Sequence, residues 1–281
     1  MTRRFVCVAM AAGLTAVPAA LAQNWSENFD NLTPGPLAGQ AGWSIWCDGG
    51  SDGSVETTGP ARSGSNSFMA ITATDVVQEF VGVNSGQWTF TAWVYVPSDA
   101  PGTGLRSGWI NLMNTYCTPP HHWSTATSFN LAVGQVRGWA STGAATLITD
   151  QWVEYRCEID LDNDSFEEYY NGERFVGPRP WTTNVGPGGA LALVAVDLYS
   201  DTIDGIRFDD LSLTSATAGC YADCDTSTGI GVLDIFDFLC FGNRFSSNDP
   251  YACDCDTSTG MGVCDIFDFL CFGNAFNAGC P

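Results

Sequence analysis

Trp88-Thr89-Phe90-Thr91-Ala92-Trp93-Val94-Tyr95-Val96 alternates side-chain character along its whole length. Successive side chains of an extended strand point to opposite faces, so Trp88, Phe90, Ala92, Val94 and Val96 form one apolar face. Such a segment predicts a strand that packs one side against a second layer. Working outward, the pattern recurs downstream, where Val153, Tyr155, Cys157 and Ile159 alternate with Glu154, Arg156 and Glu158. Leu161-Asp162-Asn163-Asp164 predicts a turn, residues 166–170 a return strand, and Asn171-Gly172 a second turn. Residues 191–196 are apolar throughout, which predicts a strand buried on both faces. Gly, Pro, Ser and Asp clusters separate these runs, and residues 23–213 show no helical periodicity. The region reads as a β-sandwich of jelly-roll type.

The start of the chain reads as an export signal over residues 1–22. Arg3 and Arg4 precede an apolar run, and Ala20-Leu21-Ala22 offers a small-x-small cleavage site. No later apolar run reaches the ~18 residues of a membrane helix, so no membrane span is expected after cleavage. The formal charge is -21, and all ten basic residues are Arg. So acidic a chain repels phosphate backbones, which argues against a nucleic-acid partner. Twelve cysteines in an exported chain point to disulfides and to a secreted or cell-surface location.

Beyond a small polar stretch at 214–219, which reads as a linker, the pattern changes. Asp223-Cys224-Asp225-Thr226-Ser227-Thr228-Gly229 returns as Asp254-Cys255-Asp256-Thr257-Ser258-Thr259-Gly260, a period of 31 residues. The run from Asp234 to Asn243 returns at 265–274. Each copy places oxygen ligands at alternating positions before an apolar segment, the arrangement by which a loop entering a helix holds calcium. The candidate ligands are Asp223, Asp225, Ser227, Asp234 and Asp237, then Asp254, Asp256, Ser258, Asp265 and Asp268. In one register Asp234 closes a loop of twelve; in the other Asp234 is the ninth-position ligand and Asp237 closes. The alternative is a merely solvated acidic surface. Residues 220–281 carry nine Asp against one Arg, and that density repels itself unless a cation intervenes.

Eight cysteines fall in the same stretch, as small domains often need such cross-links. The repeat suggests Cys224 with Cys240 and Cys255 with Cys271. Cys253 and Cys264 have no counterparts in the first copy and pair together, which leaves Cys220 with Cys280. In the sandwich, Cys157 reads as a buried thiol, with Cys47 and Cys117 as a candidate bridge.

The doubled run, ending in Gly279-Cys280-Pro281, resembles the GC-type dockerin modules of exported bacterial proteins. That resemblance covers residues 220–281. It implies calcium-dependent folding, favours the register closed by Asp237, and implies a cohesin-like or other cell-surface receptor. Residues 152–175, with 24–30, 62–68 and 208–213, resemble laminin-G-like and concanavalin-like jelly rolls. In such folds an acid near the closing strand shares a structural calcium with an acid of the first, which points to Asp209 or Asp210 with Asp30 or Glu27. The slip in parity at Asp209-Asp210 predicts a bulge.

Catalytic patterns are scarce. Residues 158–164 resemble the carboxylate strand of family 16 glycoside hydrolases, but position 163 is Asn where the second glutamate belongs, so a turn of solvated acids is expected. His121 and His122 are adjacent, and extended neighbours point apart, which suits no shared metal. Trp93 and Tyr95 alternate with Thr89 and Thr91 on the face opposite the apolar one, as stacking platforms for sugar or as a second packed face. The expectation is therefore a non-catalytic exported protein tethered by its calcium module, with a polysaccharide as a second partner. The alternative is a polysaccharide hydrolase or lyase.

Overall fold

The computed structural model describes residues 24–117, 120–216, 221–228, 232–253, 255–256, 260 and 263–279. The expected export signal, together with Asp254, Ser258, Cys220 and Cys280, lies outside the described residues. In chain order the first strands are β1 Trp25–Glu27, β2 Trp43–Ile45, β3 Ser54–Glu56, β4 Ser67–Ala70 and β5 Asp75–Glu79. Next come β6 Gln87–Tyr95, β7 Ser107–Thr115, β8 His122–Asn130, β9 Gln135–Gly138 and β10 Ala144–Thr146. The series closes with β11 Trp152–Asp160, β12 Ser165–Tyr170, β13 Glu173–Arg179, β14 Ala195–Ser200 and β15 Ile206–Ala216.

These strands form two antiparallel sheets. One has eight strands in the order β13-β12-β11-β6-β15-β4-β3, with β1 also on β15; the other has seven, β10-β9-β8-β7-β14-β5-β2. The protein is mainly β, a sandwich followed by short helices. Phe90, Ala92 and Val94 of β6 and Val153, Tyr155, Cys157 and Ile159 of β11 face inward. They meet Ile110 and Leu112 of β7 and Val196 and Leu198 of β14 in a single core. Alternation thus does in space what its period predicts. β11 and β12 pair as a hairpin, and Asn171 and Gly172 turn with φ of 52 and 78°, the left-handed pair that a tight hairpin needs. The ladder of β15 on β6 slips between Asp209 and Ser212, which is the expected bulge.

Two boundaries differ from expectation. The strand predicted at 191–196 is instead β14, Ala195–Ser200. It lies between β7 and β5, and this central place buries both of its faces. Leu193 does enter the core, but as a loop residue: an apolar run reports burial, not membership of a ladder. The predicted linker at 214–219 begins inside β15, because Thr214, Ser215 and Ala216 pair with Thr89, Trp88 and Gln87.

The C-terminal part contains α1 Ile235–Ser246, α2 Pro250–Cys253 and α3 Ile266–Ala278. Both long helices start alike. Asp234 caps α1 by accepting the Phe236 N–H at 2.7 Å, and Asp237 reaches back to the Asp234 N–H at 2.8 Å. Asp265 and Asp268 repeat these bonds on α3 at 2.8 and 2.9 Å. The core here is small, built on Ala222, Phe241, Ala252 and Phe272. Phe241 and Phe272 occupy equivalent positions and stack at 4.0 Å. Tyr221 and Tyr251 donate their hydroxyls to one another's carbonyls. Cys224 is bonded to Cys240, Cys253 to Cys264 and Cys255 to Cys271.

Candidate functional site

The sandwich has an open cleft of about 800 Å³ on the outer face of the seven-stranded sheet. Its floor follows from the registers. Asp197 on β14 lies beside Asn111 on β7, and Tyr199 lies beside Trp109 on β7 and Asp75 on β5. Inward-facing Val196 and Leu198 hold β14 in the core, so the intervening Asp197 and Tyr199 must present outward. Trp46, Trp123 and Trp139 add walls to this floor. Trp46 and Trp123 are nearly parallel, their rings 6.1 Å apart, and Trp139 leans on Trp109 at 5.5 Å. His121 packs on Trp46 at 4.8 Å, and the bonded pair Cys47 and Cys117 ties together the loops that carry them. Trp139 is 68% exposed, so its ring is available to a ligand.

Two acids meet at the floor. Asp197 is 4% exposed, and the Asn111 amide donates to its Oδ2 at 2.7 Å. Its side chain also makes a hydrogen bond with that of Asp75. The Oδ1 atoms of both acids are buried and receive no N–H or O–H donor among the described residues. Two buried carboxylates placed side by side resist being charged together. Burial pushes the Asp75 carboxyl up to about 6, partly offset by its bond to Asp197. Burial, followed by the charge of Asp75, holds Asp197 well above the usual carboxylate range. At neutral pH the floor is thus a hydroxyl-accepting, acidic centre between aromatic rings.

The sequence-predicted sugar platform lies elsewhere. Trp93 and Tyr95 are on the outer face of the eight-stranded sheet, half-buried. The Arg62 guanidinium covers Trp93 at 3.8 Å, and Tyr95 packs on Trp152 at 5.6 Å. Asp160, Asp162 and Asn163 belong to the β11–β12 turn, where Asp160 accepts from Asn163 and Gln87. His122 bonds Asn114 and the Gly186 carbonyl, while His121 reaches Asp48 at 3.3 Å, so the two rings point apart. Cys47, Asp48 and His121 come within ligand reach of one another, but the Cys47 sulfur is committed to Cys117.

Asp30, Asp209 and Asp210 all grip the loop at 62–66. Asp30 Oδ1 accepts the Ser65 and Asn66 amides at 2.7 and 3.0 Å. Asp209 Oδ2 accepts the Arg62 amide at 2.7 Å, and Asp210 pairs with the Arg62 side chain at 2.5 Å. Gly64 has φ of +54°, and a Cβ there would strike Asp30 Oδ2 at 1.7 Å, so the loop admits only glycine. Burial pushes Asp209 up to about 6. Asp30 and Asp209 thus hold backbone N–H groups of the loop, and Asp210 holds the Arg62 and Ser63 side chains.

In the C-terminal loops Asp237 is fully buried, and its Oδ1 accepts the Asp225 N–H at 2.8 Å. Asp268 does the same with Asp256 at 3.0 Å. Each closing acid thus crosses back over its own loop. Asp223 is 6% exposed, and Asp225 accepts the Ser227 N–H at 2.9 Å. Asp234 and Asp265 sit at the helix caps instead. Opposite this, Ile235, Phe236 and Leu239 stand 64, 49 and 56% exposed, and Ile266, Phe267 and Leu270 match them at 64, 48 and 55%. The duplication therefore presents the same apolar triplet twice.

No family model matches the chain, and no curated protein matches it in sequence. Among solved structures, a sialidase overlays 80% of this chain with a TM-score of 0.45 and 9% identity. This chain spans 20% of that protein. The T. cruzi calreticulin globular domain covers 65% of this chain and 87% of its own, with a TM-score of 0.43 and 12% identity. The carbohydrate binding module CBM66 from Bacillus subtilis covers 64% of this chain and 99% of its own, with a TM-score of 0.39 and 8% identity. Likeness at this level is one of strand layering alone.

Proposed function

We propose that this is an exported, non-catalytic protein whose sandwich binds glycan and whose C-terminal repeat binds calcium and docks onto a protein receptor. The cleft carries the first half. A pyranose has an apolar C–H face and a rim of hydroxyls, and the cleft offers flat rings beside convergent acceptors. Trp109, Trp139, Asp197 and Asn111 supply both kinds of contact at one place. Affinity electrophoresis in gels cast with plant and microbial polysaccharides tests this. Retardation is expected for the intact protein, with at least a tenfold loss of affinity in Trp109→Ala. No retardation in any gel would sink the proposal.

The second half draws on the donor set. Asp223, Asp225 and Asp237 belong to one oxygen-rich loop, and Asp237 is buried with no Arg or Lys paired to it among the described residues. Calcium accepts such hard oxygens from alternating positions, and the bond from Asp225 to Asp237 favours the register that Asp237 closes. The paired apolar triplets on α1 and α3 fit a receptor of cohesin type or another cell-surface protein, because such patches mark interaction sites. The disulfides suit an oxidising, extracellular setting. No helix among the described residues is long and apolar enough to cross a membrane.

A second reading, cleavage of the glycan, is favoured by the raised pKa of the Asp75–Asp197 pair in a cleft. Hydrolysis requires carboxyls about 5 Å apart or more, one on each side of the bond, whereas these two touch. New reducing ends or unsaturated products from any bound polysaccharide would establish that reading instead.

A further inference from the structure

We propose, building on the glycan reading of the cleft, that it selects uncharged glycans and rejects those built from uronic or sialic acids. The floor combines Asp75, Asp197 and Asp201 with the neutral Asn111 and Tyr199, and no Arg or Lys lines it. Asp75, pushed up only to about 6, carries a negative charge at neutral pH even where burial keeps the proton on Asp197. Asp201 adds another nearby. Recognition of a carboxylated sugar uses a cation, by preference the two-pronged guanidinium that matches a carboxylate. Here the sugar carboxylate would instead meet carboxylates inside a partly desolvated cleft, a repulsion that acts as built-in exclusion.

The hydrogen-bond polarity agrees. Asn111 spends an amide N–H on Asp197 Oδ2 at 2.7 Å, and the buried Oδ1 atoms of Asp75 and Asp197 remain as acceptors beside one unpaired donor, the Trp109 indole N–H. Sugar hydroxyls both donate and accept and so suit acids and indole alike; a sugar carboxylate only accepts and can use none of the acids. One cation lies on the strands of this sheet, Arg137 of β9. The register places it two strands out from Trp109, beyond Ser128, and it is exposed to solvent. It is not among the residues that line the cleft.

Each arm of the test compares a glycan with its own neutral homologue. Tryptophan fluorescence of the calcium-loaded, full-length protein is titrated with oligogalacturonate and with the same oligomer reduced at its carboxyls. Oligomannuronate against mannan oligomers and sialylated against desialylated lactosides complete the set. The neutral member of at least one pair should bind tenfold or more tighter than its acid, and Asp201→Asn should narrow that ratio. Asp197→Asn, which keeps the shape of the floor, should narrow it further. An acidic glycan that binds as tightly as its neutral homologue overturns the inference and leaves glycan binding intact; loss of that binding in Arg137→Ala would assign it to the distant cation. Binding of no member of any pair overturns the glycan reading and this inference together.

Discussion

The sandwich and the C-terminal repeat solve the same stability problem by opposite means. The sandwich buries one continuous core drawn from two large sheets, and the described part contains one disulfide, Cys47–Cys117. The repeat buries Ala222, Phe241, Ala252 and Phe272 and, among the described residues, adds three disulfides, while leaving Ile235, Leu239 and their repeats in solvent. A small domain encloses too little apolar surface to offset its chain entropy, and here cross-links make up part of the difference. Spending apolar side chains on an outward face makes that shortage worse. The contrast shows what each region can spare: the sandwich an open cleft, and the stapled repeat an exposed apolar face, which the proposed docking would use.

The comparison breaks most visibly under reduction with chelation. Each bridge contributes about 2–4 kcal/mol, so reductant plus chelator should abolish the helical circular-dichroism signal of the repeat. The sandwich should keep its own thermal transition, and a single joint transition would contradict the contrast. Next in size is the loss of a stacked ring. Phe272→Ala removes half of the pair at 4.0 Å and should cost about 3–5 kcal/mol, enough to unfold the repeat. Phe90→Ala in the sandwich should cost as much in urea denaturation yet leave that domain folded.

The pH dependence comes from the sandwich. Glu168 is buried between Tyr155 and Thr127, whose hydroxyls both donate to it. Burial raises its carboxyl from 4.5 to about 7. The folded state therefore keeps a proton that the unfolded chain has already lost in that window, and stability falls as pH rises through it. The loss should be on the order of 3 kcal/mol, fully present above about pH 7, and visible as a declining melting temperature of the sandwich. Glu168→Gln should flatten the profile, since its amide oxygen still accepts both hydroxyls. The smallest effect is expected from Trp93→Ala, which should change glycan affinity less than twofold because Trp93 lies on the other sheet, beneath Arg62.

Much of the scaffold was legible in the sequence for physical reasons. Period-two alternation reports a half-buried strand, so β6 and β11 could be read directly. The Asp209-Asp210 parity slip reported a bulge, and the repeat reported two equivalent helices. The cleft was not legible. Trp93 and Tyr95 announce themselves within a clean alternation, whereas Trp109, Trp123 and Trp139 lie in separate strands and loops that only the seven-stranded sheet brings together. Strand pairing is non-local, and no short window of sequence contains it. One signal was available: Asp197 interrupts Ala195-Val196-Asp197-Leu198-Tyr199, and Asn111 interrupts Trp109-Ile110-Asn111-Leu112-Met113. A polar residue inside an apolar central strand must have a purpose on the outer face, because an unpaired polar group is costly to bury.

The most direct test of the account is a crystal structure of the full-length protein soaked with an oligosaccharide that it retains in affinity gels. The account predicts a sugar ring lying against Trp109 or Trp139, with hydroxyls within hydrogen-bond distance of Asp197 and Asn111. Sugar bound instead across Trp93 and Tyr95, with the cleft empty, would contradict it.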